Sequence, residues 1–326
     1  MAEWLFEEGI GEDRAILIED GNILEAAIEL PGALRAGSVV PARLAAILIA
    51  GRRGIAALDG GGEALVEPLP AGLTEGAAFR AEIVREALPE AGRAKLARAR
   101  ATDAAPRSGP GLAERIGAHT RQGPIGPDRF EEAGWSELID EAIRGEIPFP
   151  GGALRMSLTP AMTLFDVDGG LKPAELACAG AAAAARAIRR LGLSGSIGID
   201  LPTLPGRAER QAAAAAFDAV LPPPFERTAV NGFGFLQAVR RRERASLPEI
   251  LQGDPVGASA RALLRRAQRS EGTGVLTLHA AAPVVAHIEA HPEWLDRLRR
   301  DVGAPIVLQA QAGLAISAGH VQRSLQ

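Results

Sequence analysis

Two apolar runs of strand length, residues 162–168 and 196–201, enclose one helix-length alanine-rich segment, and that order restricts the fold more than any other feature of the chain. Each run is bounded by Gly or Pro and carries an aspartate near its end, Asp166 in the first and Asp200 in the second. Between them Pro173 suits a first helical turn and Glu175 favours a helix N-terminus. The alanines continue that helix through Arg190, and Gly192 stops it. The reading is a β-α-β unit. Such crossovers are right-handed and make the strands parallel, so both carboxyl ends lie on the sheet edge where α/β proteins place ligands. Asp166 and Asp200 then become neighbours. Adjacent carboxylates repel unless one is protonated or a cation sits between them, and hard oxygen ligands select Mg²⁺ or Mn²⁺. The same positions also suit turn-forming or helix-capping aspartates.

At 326 residues two or three domains are expected, and with 47% hydrophobic residues the chain has enough material for their cores. No positively charged start precedes an apolar stretch, and the run near 177–185 is too short and too weakly hydrophobic to span a bilayer. The expectation is a cytoplasmic globular protein with no membrane partner. Cys178, the single cysteine, excludes an intrachain disulfide and a multi-cysteine zinc site. A net charge of −4 argues against a wholly basic nucleic-acid coat, although patches remain open. The five histidines, His119, His279, His287, His291 and His320, show no metal-ligand or catalytic spacing. The glycines of 192–198 follow a helix and precede a strand, the reverse of a phosphate-binding loop, and read as a turn.

Residues 3–7, 14–18 and 23–29 predict a β-meander turning at 9–13 and at Asp20-Gly21-Asn22. Short alternating segments at 39–49, 53–58, 63–66 and 78–86, separated by glycine-rich turns, predict a small barrel. The stretch 101–130 is rich in Pro, Gly and charge and reads as a linker. Helical patterning resumes at 135–143. After the β-α-β unit the pattern gives a helix at 207–220, a break at Pro222-Pro223-Pro224, a strand at 226–230 and a charged helix over 234–250. The tail then reads as helix, strand at 275–279, helix, strand at 305–309 and a last strand near 314–317.

Besides the aspartates, the sharpest segment runs Val230-Asn231-Gly232-Phe233-Gly234-Phe235-Leu236-Gln237 into Arg240-Arg241-Arg242-Glu243-Arg244. Guanidinium groups near a carboxylate metal site suit a polyphosphate substrate, because they pair bidentately with phosphate oxygens. A solvated charged face would look the same in sequence. Taken in order, Thr163 with Asp166-Val167-Asp168, the alanine-rich helix, Ile197-Gly198-Ile199-Asp200, and Asn231 to Gln237 with Arg240 and Arg242 resemble the catalytic region of the ribonuclease E/G family of bacterial endoribonucleases. The likeness extends more weakly over most of the chain, including Pro148-Phe149-Pro150-Gly151-Gly152 before the catalytic strand.

This resemblance implies an α+β multidomain chain with a ribonuclease H-like/DNase I-like catalytic core, an inserted OB-type β-barrel and a small α+β C-terminal domain. The corresponding division is 1–36, 37–100, 101–144, 145–252 and 253–326. It implies that Asp166 and Asp200 bind Mg²⁺, or Mn²⁺, and cut single-stranded RNA to 5′-phosphate and 3′-hydroxyl ends. Arg240, Arg242, Asn231 and Phe233 are the implied RNA contacts of the catalytic region, with Arg52 and Arg53 on the barrel. Arg43, Arg85 and Arg93 join them if they share a face. Asp168 stands where the family has asparagine. Its carboxylate cannot donate to a phosphate, so it either joins the metal shell or weakens substrate binding. Gly232 lies where a basic residue is usual. The family's zinc-binding cysteine pair is missing, so no zinc and no zinc-linked tetramer is expected, while a homodimer stays open. The 101–134 stretch is too short for a 5′-end sensor domain. Only Phe79 in the barrel offers an aromatic face, so its RNA affinity is expected to be modest. The rival reading is a degenerate relative that binds RNA or a partner ribonuclease without cutting.

Overall fold

The computed structural model describes residues 1–89 and 95–324, and Arg93 lies outside them. The chain opens with an antiparallel meander of β1 (Glu3–Glu8), β2 (Asp13–Glu19) and β3 (Asn22–Glu29). Five strands follow: β4 (Val39–Ile49), β5 (Arg53–Leu58), β6 (Glu63–Val66), β7 (Ala78–Arg85) and β8 (Ala97–Ala101). They close into a barrel in the order β4-β5-β6-β8-β7 around Leu44, Ala56, Val66, Ile83 and Ala99.

The segment read as a linker is folded. It forms α1 (Leu112–Ile116), β9 (Thr120–Arg121), which adds to β1 in parallel, and α2 (Arg129–Glu132) ahead of α3 (Trp135–Arg144). Its sparse apolar residues are well used: Leu112 and Phe130 are buried, and the Asp128 carboxylate accepts the Phe130 and Glu131 amides at 3.1 and 3.3 Å to cap α2.

A six-stranded sheet is the centre of the molecule. It comprises β10 (Glu146–Phe149), β11 (Gly152–Leu158), β12 (Thr163–Gly169), β13 (Gly195–Asp200), β14 (Glu226–Arg227) and β15 (Phe235–Arg240), in the order β10-β11-β12-β13-β15-β14. The β-α-β unit is present as β12, α4 (Pro173–Arg190) and β13, with the strands parallel. α4 lies between this sheet and β3, and α5 (Arg207–Asp218) packs beside it. Enclosure on several sides explains the alanines: Ala177, Ala181, Ala184, Ala185 and Ala187 are all buried, and larger side chains would hold the layers apart.

Residues 235–240 form a strand, not the expected helix. Leu236 and Ala238 are buried while their neighbours are more open, the period-2 alternation of a half-covered strand. The helix begins only at α6 (Leu247–Gly253), after Ser246, whose amide and hydroxyl both donate to Glu249 at 2.8 and 2.7 Å. The C-terminal part contains α7 (Pro255–Gln268), β16 (Val275–Ala280), α8 (Ala282–Glu289), α9 (Pro292–Val302), β17 (Ile306–Ala310) and β18 (His320–Ser324) in a β17-β16-β18 sheet. The last strand sits later than the sequence predicts, because 316–318 is a 3₁₀ turn. The architecture is α+β with a closed five-stranded barrel. Among the described residues no helix is long and apolar enough to cross a membrane.

Candidate functional site

The ladder of the central sheet fixes what lies beside what. Asp166 on β12 pairs directly with Asp200 on β13, Arg155 on β11 flanks Asp166, and Phe235 on β15 flanks Asp200. Paired residues share a face, so these four side chains form one row. That face is opposite to α4: Phe165, Val167, Ile199 and Leu236 turn inward and are buried, whereas Asp166, Asp168 and Asp200 are exposed.

Neighbouring strands lie about 4.8 Å apart, so the two carboxylates can both reach one cation at the ~2.1 Å typical of Mg²⁺ oxygen ligands. Neither Asp166 nor Asp200 forms a side-chain hydrogen bond or ion pair among the described residues. Two adjacent anions without a protein counter-ion suit a divalent ion bound by oxygen ligands, so the residues present fit the group. Asp168 sits two positions along the same face and meets Arg155 at 3.7 Å. Among the described residues no group of three or more His, Cys, Asp or Glu side chains is placed to hold a metal. The row therefore offers a pair of carboxylates and no third ligand among the described residues.

An aromatic element adjoins the pair. The Asn231 Oδ1 accepts the Phe233 and Phe235 amides at 2.9 and 3.0 Å, and the Asn231 amide donates to the Phe235 carbonyl at 3.0 Å. Gly234 takes φ +93°, and a Cβ there would fall 2.2 Å from the Leu201 carbonyl oxygen, so the turn needs glycine. The outcome is a braced loop that leaves Phe233 83% exposed. Phe235 leans over Gly198, where an added Cβ would be 2.6 Å from its ring, and forms an apolar floor next to Asp200.

The structure does not bring Arg240 and Arg242 to this row. Arg240 is at the other end of β15, paired with Gly195, roughly 17 Å from the level of Asp200 at ~3.3 Å per residue, and it shares the parity of the buried Leu236 and Ala238. Arg242 beyond it is ion-paired with Glu249. Their expected place on a helix beside the aspartates rested on the helical reading of 234–250, which the strand replaces.

On the barrel, Arg53 and Arg98 bind Glu67 at 3.0 and 2.9 Å, and Arg52 approaches it at 3.7 Å. Arg43 donates to the Gly76 carbonyl and Arg85 to the Leu96 carbonyl. Much of the expected basic surface is thus held by the barrel's own acceptors. Arg155 and Phe235 are the members of the row that were not among the residues expected from the sequence; Phe235 lay in the singled-out segment, whereas Arg155 did not. The signal for Arg155 was the alternation of Leu154, Arg155 and Met156, which becomes informative only once β11 is registered against β12.

Comparison with known protein families and with curated proteins finds no family model and no relative that matches the chain.

Proposed function

We propose that the open face of the six-stranded sheet is the active site of a divalent-metal-dependent endoribonuclease of the E/G type, acting on single-stranded RNA. The observation that supports it most is the direct pairing of Asp166 with Asp200 on an exposed face, with no counter-ion of their own. On this reading β1–β3 and the central sheet belong to a ribonuclease H-like and DNase I-like core. A divalent ion held by Asp166 and Asp200 would supply Lewis-acid polarisation of the phosphoryl group and easier deprotonation of the attacking water. Arg155, in the same row, would pair with a backbone phosphate, and the exposed Phe233 would offer its ring to an unstacked base. Asn231 acts indirectly by holding the Phe233 loop. The products are a 5′-phosphate and a 3′-hydroxyl.

A second reading, an RNA-binding protein that does not cut, draws on the Arg155–Asp168 contact, which engages the position where the family has asparagine. One assay separates the two: cleavage of a fluorescent single-stranded RNA with Mg²⁺ or EDTA, by the parent and by Asp166→Asn and Asp200→Asn. The nuclease reading expects cutting that EDTA abolishes and that each variant lowers by at least about 100-fold. Phe233→Ala should weaken RNA binding by ~1–3 kcal/mol with the fold intact. RNA binding without cutting on several RNAs would transfer the site to the binding reading.

A further inference from the structure

The displaced arginines lie on the wall of a separate cavity. Behind the central sheet, where β3, the end of α4 and the segment after β15 meet, is a cavity of about 510 Å³. Arg115, Arg189, Arg240, Arg241 and Arg244 line it with Glu25 and Glu243, and Glu29 and Glu86 meet two of these arginines from outside the lining, which leaves an excess of one positive charge (5 − 4). Some of that charge is already answered. Arg189 meets Glu25 at 2.8 Å, Arg115 meets Glu29 at 2.5 Å, and Arg241 meets Glu243 at 3.2 Å.

Arg240 and Arg244 are different. Arg240 donates to the Leu193 carbonyl at 3.2 Å and forms no ion pair among the described residues. Arg244 has only two long ion pairs, its Nε to Glu86 and a terminal nitrogen to Glu243, at 3.7 Å each and beyond hydrogen-bond range. Burial lowers both guanidinium groups below their ordinary range, against the pull of Glu25 on Arg240 and, with Arg115 adding to it, against that of Glu86, Glu243 and Glu29 on Arg244. A half-buried guanidinium without an ion pair, beside a second one held only at long range, suits an anion. The remaining walls are apolar, with the half-buried Trp4 beside Ile28 and Leu247, and the space is far larger than one phosphate needs.

We propose that this cavity binds a small phosphomonoester of the nucleoside monophosphate class, with Arg240 and Arg244 on the phosphoryl oxygens and Trp4 against the organic body. Guanidinium forks match phosphate oxygens bidentately, and an aromatic wall offers a flat apolar surface to a base. The site is independent of the carboxylate row, from which it is separated by the length of β15 and by the thickness of the sheet.

Calorimetric titration of the full chain with adenosine monophosphate, inorganic phosphate and adenosine tests it. The expected result is a Kd of about 100 µM for the monophosphate, weaker binding of phosphate and none of adenosine. Arg240→Gln and Arg244→Gln should each weaken the monophosphate by about 10-fold. Arg241→Ala, at a side chain 77% exposed and so safe for folding, should weaken it by about 3-fold. Silence of both phosphorylated ligands up to ~10 mM would overturn the proposal. So would adenosine binding as tightly as its monophosphate, or phosphate binding as tightly as the monophosphate. Unchanged affinity in the arginine variants with loss in Asp200→Asn would move the nucleotide to the carboxylate row and also overturn it.

Discussion

Asp13 shows how much one residue can take from its surroundings. It begins β2 between Glu8 and Glu29, and burial, then Glu8 and then Glu29, raise its carboxyl to about 6 from an ordinary 3.8, against the pull of Arg297 and Arg35. The folded state therefore holds the proton more tightly than the unfolded chain. Between pH 3.8 and 6 stability falls as pH rises; the loss is complete above the folded value and absent below the unfolded one. Asp13→Asn should accordingly raise stability by about 1 kcal/mol at pH 7, a figure reduced because the half-buried side chain is partly screened by solvent, and should change little at pH 3.5. Urea unfolding at the two pH values reads this directly. An equal effect at both would mean that the aspartate charge is not the cause.

At the scale of elements, the contact between α4 and β12 sets the floor beneath the aspartates. A Cβ built on Gly180 would stand 2.4 Å from Val167 Cγ1 and 3.1 Å from Cγ2. Gly to Ala inside a helix gains about 1 kcal/mol by propensity alone, whereas overpacking a filled core costs about 1–3 kcal/mol. The branched Val167 cannot swing its methyls away within a paired strand, so packing decides the sign. Gly180→Ala should destabilise by about 1–2 kcal/mol, and Gly180→Ala with Val167→Ala should recover part of that loss in thermal unfolding. The β-α-β unit was legible because strand, helix and strand each carried a local signal and right-handed crossover left little choice of topology. The same logic made the Asp166–Asp200 adjacency readable before any register was known. β15 was misread because five charged residues at 240–244 outweighed the six-residue alternation before them, and a run that short fits either period. Residues 101–134 were opaque for another reason: Leu112 and Phe130 gain their place from β1 and β2, far away in sequence, and no local pattern encodes that.

Across the whole molecule, buried charge ties the first sheet to the C-terminal part. The Arg14 side chain is 1% exposed and donates twice to Glu7, at 2.9 and 2.6 Å, with its guanidinium 4.0 Å from the Phe130 ring centre and 4.9 Å from that of Trp135. Burial and nearby Arg265 lower its pKa to about 10 even so. Arg269, which follows α7, reaches Glu7 at 2.9 Å and Asp128 at 2.8 Å. Glu12 is shared by Arg261 at 2.9 Å and Arg265 at 2.7 Å. Such a network contributes little net stability compared with an apolar core of the same shape, but removing one carboxylate strands the cations around it. Glu7 is the sharpest place to cut, since its buried carboxylate takes the short hydrogen bonds of both Arg14 and Arg269, whereas Asp128 meets Arg14 only at 3.4 Å. Glu7→Gln should lower stability by about 3–5 kcal/mol. Because β16–β18 with α7–α9 have their own core around Leu263, Leu278 and Ile288, the loss should appear as a split transition, with the two parts of the molecule unfolding separately. Differential scanning calorimetry of the parent and Glu7→Gln resolves this. A single transition moved by less than about 2 °C would mean that apolar packing of Ile10 against the C-terminal core, and not the shared carboxylates, couples the parts.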